Sequence, residues 1–291
     1  MKQTIKKSSS SRPTPVLKQF AGLWTLAQYP SVAKEWSLER KIREMKKAGF
    51  DAVGSRADPK ISVLCAAERL DYICYTDANG KNFREKLEGA LATRPARVNV
   101  QLCDHDTPPR EAARVWAKTE AYARKLGLAA DLEVHRDTAT ETPEKTYEIA
   151  EAFHRATGGL IDFSWDFSHL AVVKHLAPPY GPRLLVRPDL IRRSRQFHFR
   201  PFNGHHAQIP ATDGSGRATA EFGFWLEFID ALLDCWWQGA LGGETVYGCP
   251  EFGPVCSGYG LSTFPDVWKD AIFARQKIAA MWEAKRRRFK K

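Results

Sequence analysis

Short apolar runs alternate with longer amphipathic ones along the chain, and the alternation occurs eight times. "QFAGLWTLA" (19–27) is short, apolar and aromatic. "SLERKIREMKKAG" (37–49) follows, with Leu38, Ile42 and Met45 at helical spacing, Ser37 placed to cap the start and Gly49 to stop the end. The next four pairs are "FDAVGS" with "DPKISVLCAAERL", "DYICYT" with "KNFREKLEGALAT", "RVNVQLCD" with "PPREAARVWAKTEAYARKLG", and "ADLEVHRD" with "PEKTYEIAEAFHRATG". Then come "LIDFSWDFSH" with "LAVVKHLA", "SRQFHFRPF" with "AEFGFWLEFIDALLDCWWQG" after a longer loop, and "TVYGCPEF" with "FPDVWKDAIFARQKIAAMWEAKRRR".

Strands separated by helices run parallel, because each crossover returns the chain to the same edge. Eight such units predict a closed (β/α)8 TIM barrel of the α/β class. An open doubly wound sheet would place a glycine-rich phosphate turn after its first strand, where this chain reads "LWTLAQYP". The expected organisation is one barrel domain over 19–284, a disordered basic leader over 1–18 and a basic C-terminal tail over 285–291. The helix "FWLEFIDALLDCWW", apolar nearly all round, predicts buried core or a subunit interface, so a homo-oligomer is possible.

Charge changes the picture little. Of the net +10, the leader carries +5 and the tail +6, which leaves the barrel at −1. Basic ends can touch nucleic acid or a membrane surface, but no folded basic face is implied. The opening "MKQTIKKSSSSRPTP" has no apolar core of a secretion signal, and no run of about 20 apolar residues predicts a membrane span. The six cysteines form no CxxC pair and read as reduced thiols in a cytoplasmic protein.

In barrels of this kind chemistry sits at the C-terminal ends of the strands. The fifth strand ends with Glu133, His135 and Arg136. The sixth ends in Asp166, with His169 in the loop beyond it. The seventh offers His198 and Arg200, followed by His205 and His206, and the eighth ends in Glu251. Four successive strands thus present Glu, Asp, His and Glu. Three carboxylates converging with an imidazole at a barrel mouth repel one another without a cation, and oxygen-rich ligands with one nitrogen suit a hard or borderline divalent ion. Mn2+ is the first choice, with Mg2+, Co2+ or Zn2+ as alternatives. Arg136 and Arg200 are placed to hold an oxyanion or phosphate, or to form structural ion pairs. Cys249, two residues before Glu251, reads as a small core residue.

The quartet resembles the xylose isomerase-like TIM-barrel superfamily, the sugar phosphate isomerase/epimerase type. The resemblance spans about residues 19–284 and is carried by "LEVHR" at Glu133, "DFSH" at Asp166 and His169, "FHF" at His198 and "PEFGP" at Glu251. It implies one divalent metal held by Glu133, Asp166, His198 and Glu251. It also implies a small-molecule carbohydrate as partner, with His169, Arg136, Arg200, His205, His206 and Trp24 around it. Trp24, taken to end the first strand, would wall a sugar pocket. In this reading Glu133 and Glu251 act as general base and general acid in an isomerisation or epimerisation next to a carbonyl.

Two features depart from the superfamily pattern. "RDTATE" leaves unassigned an acid usually found beyond the first Glu, and "RPFNGHHAQIP" leaves open whether His198 or His205/His206 is the third ligand. Alternatives sharing the site are a metal-dependent lyase or dehydratase, by β-elimination on a 3-keto-glycoside or a keto-inositol, and a non-catalytic carbohydrate-binding barrel. A nuclease of the same superfamily needs additional histidines on earlier strands. The second and third strands end "VGSRA" and "CYTDANG" without one, so nucleic acid is disfavoured.

Overall fold

A computed structural model describes residues 13–289. Eight parallel strands form a closed barrel in sequence order: β1 (Val16–Gly22), β2 (Ala52–Arg56), β3 (Asp71–Ala78), β4 (Arg97–Leu102), β5 (Ala130–Glu133), β6 (Phe163–Asp166), β7 (Gln196–His198) and β8 (Thr245–Cys249). The helices are α1 (Leu38–Lys47), α2 (Pro59–Ala67), α3 (Phe83–Leu91), α4 (Pro109–Lys125), α5 (Pro143–Thr157), α6 (Phe167–Val173), α7 (Gly181–Leu184), α8 (Pro188–Arg193), α9 (Ala220–Trp237) and α10 (Val267–Phe289). This is the (β/α)8 TIM barrel predicted from the alternation, in one domain.

The helix starts follow from the sequence. The Ser37 side chain accepts from the Arg40 amide, Asp58 from Lys60, Thr142 from Lys145 and Thr219 from Phe222, so these four helices begin where an orphan donor finds an oxygen. Two cores result. Phe20, Ala52, Ile73, Tyr247 and Cys249 fill the barrel interior, so Cys249 is the small interior residue its position suggested. A larger shell, rich in Leu, Phe and Trp, lies between strands and helices.

Several boundaries differ from the sequence reading. β1 begins at Val16, inside the segment taken as leader, and stops at Gly22; "LWTL" winds into a 3-10 turn, so Trp24 follows the strand instead of ending it. Residues 1–12 of that leader lie outside the described residues. Between β6 and β7, Pro178, Pro179, Pro182 and Pro188 break the connection, which runs through α6, α7 and α8 where one helix was predicted. Trp236 and Trp237 are buried within the chain, with Trp236 donating to the Ser194 carbonyl, so α9 is core and its apolar face needs no second subunit.

Residues 285–289 of the basic tail are not a separate end, because α10 continues through Phe289; residues 290–291 lie outside the described residues. Lys285 is 2% exposed, and its ammonium lies 2.7 Å from Asp230 and 2.8 Å from Asp234 on α9. Lys285→Ala is expected to cost about 2 kcal/mol, the scale of hydrogen bonds to charged groups. Urea unfolding followed by circular dichroism checks this; an unchanged midpoint would return residues 285–289 to the status of a solvated end.

Candidate active site

The C-terminal ends of β5 to β8 bring the quartet together. Asp166 pairs in register with His198, and His198 with Cys249, so these strand ends lie level, with Glu251 two residues beyond. Asp166, His198 and Glu251 each offer a ligand atom, all within 4.8 Å of one another, and all three are buried. Glu133 joins them: its Oε1 lies 3.3 Å from His198 Nδ1, and Glu251 Oε2 lies 2.8 Å from the same nitrogen. Phe20 and Tyr75 hold the His198 ring from the barrel side, each 5.9 Å away between centroids. Gly54 makes room for this, since a Cβ there would fall 2.2 Å from the Tyr75 hydroxyl oxygen.

Arg200 supplies the positive charge inside the cluster. Its Nε donates to Asp166 Oδ2 at 3.1 Å, and an Nη lies 2.9 Å from Glu251 Oε2. Asp166 is also the N-cap of α6, its Oδ1 accepting from the Ser168 amide at 3.0 Å. That helix start corrects the placement of His169: it lies in the first turn of α6, not in a loop. It is buried, with Nε2 3.3 Å from Asp166 Oδ2.

The electrostatics follow from burial set against partners. Burial alone would raise Glu251, but Arg200 and His198 overcome it and hold the carboxyl at about 2. Asp166 is likewise held well below the usual range against burial, by His169 and Arg200. Glu133 goes the other way: burial raises it, His198 opposes this and the charge on Glu251 adds to it. His198 is pushed up to about 9, because Glu251 and Glu133 outweigh its burial. Two carboxyl groups sharing one imidazole are thus driven apart, the pattern that separates an acid from a base.

This donor set fits a divalent cation. Three buried carboxylates outnumber the one guanidinium and one imidazole that face them. A dication held by Glu133, Asp166, His198 and Glu251 would balance that negative charge.

The cluster opens into a cavity of about 500 Å3 lined by Glu133, His198, Arg200 and Glu251 together with Trp24, Gly54, Tyr75, Asn99, Gln101, His135, Arg136 and Tyr259. Trp24 and Arg136 therefore reach the cavity. His205 and His206 do not. Both are exposed in the turn after β7, their backbone amides bonded to the Asn203 side chain, and the His205 ring packs near that of His175. Asn-Gly forms a local turn there that aims the following residues outward, which removes them both as alternative third ligands and as cavity residues.

Several site residues escaped the sequence reading. Asn99 donates to Glu133 Oε2 at 2.7 Å and accepts from Gln196 at 3.0 Å, so two buried amides fix the orientation of the carboxylate. Tyr259, from the loop after β8, lies against Arg200, Arg136 and Trp24. An inward-facing asparagine in the apolar run "RVNVQL" was the available signal for Asn99; nothing in the loop sequence marked Tyr259.

No known family profile matches the chain, and no curated protein matches it. Solved structures do. An L-ribulose 3-epimerase aligns over 94% of this chain and 97% of its own, with 14% identity and a TM-score of 0.61. A xylose isomerase-like TIM barrel protein from Mycobacterium smegmatis, in complex with magnesium, aligns over 94% and 98%, with 15% identity and a TM-score of 0.53. The chain has the xylose isomerase-like fold. A probable 3-DHS dehydratase involved in petrobactin synthesis, from Bacillus anthracis, shares that xylose isomerase-like barrel over 90% of this chain and 98% of its own, with 12% identity and a TM-score of 0.55.

Proposed function

We propose that the protein is a divalent-metal-dependent epimerase or isomerase of a keto-sugar. The observation that carries this reading is the convergence of Glu133, Asp166, His198 and Glu251 at the ends of four consecutive strands. Neighbours on the same fold include a ketose 3-epimerase and a magnesium complex, which supports the substrate class and the metal.

A bound dication would supply Lewis-acid polarisation of a carbonyl oxygen. The chain supplies the proton chemistry. Glu133 and Glu251 approach the same space from β5 and from beyond β8, so one can take a proton from the carbon beside the carbonyl while the other returns one to the opposite side. Asn99 holds Glu133 Oε2 and leaves Oε1 turned toward His198. Trp24 and Tyr259, with ring centroids 5.8 Å apart, form an aromatic wall of the same cavity.

Ketopentoses and ketohexoses incubated with the protein in heavy water, before and after chelation, test this reading. About one Mn2+ per chain is expected. Deuterium should enter at a carbon next to the carbonyl, and chelation should abolish the uptake until Mn2+ is restored. Loss of a leaving group alongside deuterium uptake would assign the lyase reading, which the dehydratase on the same fold supports. A metal-loaded protein that exchanges no proton and releases no group would leave only a carbohydrate-binding barrel.

A further inference from the structure

Three residues that line this cavity each carry a buried donor with no hydrogen-bond partner among the described residues: Arg200 at Nη1, and Tyr259 and Tyr75 at their hydroxyls. Arg200 is 3% exposed as a whole, and its Nε and second Nη already face the carboxylates of Asp166 and Glu251. A buried donor left without a partner is costly, so three around one cavity mark a place where a ligand brings acceptors.

The spare charge is concentrated at the same spot. Arg200 lies 4.2 Å over the Tyr259 ring, and Arg136 lies 4.8 Å over that ring, which keeps the two guanidinium carbons within about 9 Å of each other. Elsewhere on the rim Arg56 is bonded to Asp77 and Lys41 to Glu35. No carboxylate among the described residues pairs with the Arg136 guanidinium. Arginine has donors and no acceptor, so the complement to Arg136 and to the Nη1 edge of Arg200 is a group that only accepts. Sugar hydroxyls satisfy that edge weakly; carboxylate or phosphate oxygens satisfy it fully.

We propose that the substrate carries an oxyanion group, a carboxylate or a phosphate ester, seated between Arg136 and Arg200 against Tyr259. This rests on the reading of the site as one that binds a keto-sugar, and it names which keto-sugars: acidic ones. Arg200 then has two faces, one holding the carboxylates that form the cation site and one holding the charged end of the substrate.

Isothermal titration in Mn2+-containing buffer, with D-fructose, D-fructose 6-phosphate and D-fructuronate as probes, tests the proposal. At least one charged ketose is expected to bind about tenfold or more tightly than D-fructose. Preference for the phosphate alone assigns a phosphate seat, and preference for the uronate alone a carboxylate seat. Arg136→Gln should bring the charged-to-neutral ratio to within about twofold of unity, and Tyr259→Phe should lower it. Arg114→Gln, on the exposed side of α4, removes the same charge and should leave the ratio intact. Equal affinity for all three probes, no binding of either charged one, or a preference that survives Arg136→Gln overturns the proposal. Deuterium exchange into neutral ketoses would then still stand as support for the epimerase reading. Tight binding of a charged ketose without exchange would instead keep the seat and remove that reading.

Discussion

Glu133→Gln is expected to lower turnover of the keto-sugar substrate by about 10²–10⁴-fold, the range contributed by one general acid–base group. The substitution is nearly isosteric. It keeps an oxygen that can accept from Asn99 Nδ2, now at 2.7 Å, and it removes the charge that lies 3.3 Å from His198. Asp166, His198 and Glu251, with ligand atoms within 4.8 Å of one another, remain as a metal site. The variant should therefore still take up Mn2+ while failing to exchange substrate deuterium in heavy water. Full turnover in Glu133→Gln would assign the proton transfers to another residue.

The barrel was legible because short apolar runs alternate with longer helical ones, and several helices carry their own cap. Ser37, Asp58 and Thr142 can be read from a sequence as readily as from coordinates. Strand ends were less legible. "ADLEVHRD" continues its alternation through His135, yet β5 stops at Glu133, because the ladder to β6 ends there and the chain turns into a Thr-rich loop held by Thr138 and Thr140. The placement of His169 fails for a related reason. Asp166 is at once the last strand residue and a helix cap, so no loop separates β6 from α6. The quartet itself could be found one residue per strand, since a charged residue at the end of an apolar run is conspicuous. What binds the quartet together was hidden, because it depends on contacts across the barrel. Asn99 meets Glu133 34 positions away, Gln196 meets Asn99 from the opposite side of the sequence, and Arg200 joins Asp166 to Glu251. No local periodicity encodes such pairs.

Arg200→Met is the second large effect, and it is one of stability. Arg200 is 3% exposed, and its guanidinium contacts the carboxylates of Asp166 and Glu251, residues 0% and 4% exposed. Methionine fills much of the same volume but leaves Asp166 and Glu251 facing each other without their shared cation. Breaking a buried pair in this way costs about 3–5 kcal/mol. The sign of the pH dependence follows from the depressed carboxyls. A group whose folded pKa lies below its unfolded value adds stability above the usual carboxylate range, and that stability is lost as pH falls through the folded pKa, about 2 for Glu251. In chelated protein the gap between wild type and variant should therefore be widest near neutral pH and should narrow on acidification, as protons neutralise the carboxyls that Arg200 no longer pairs. Added Mn2+ should narrow the gap at neutral pH, because loss of the Arg200 charge beside Asp166 and Glu251 lets the variant bind the cation more tightly than wild type, and tighter binding to the folded state stabilises it more by mass action. Thermal unfolding across pH, with and without the ion, reads both effects. A gap that stays constant with pH would show that Arg200 stabilises the fold through packing against Tyr259 and Trp24, with its charge contributing little.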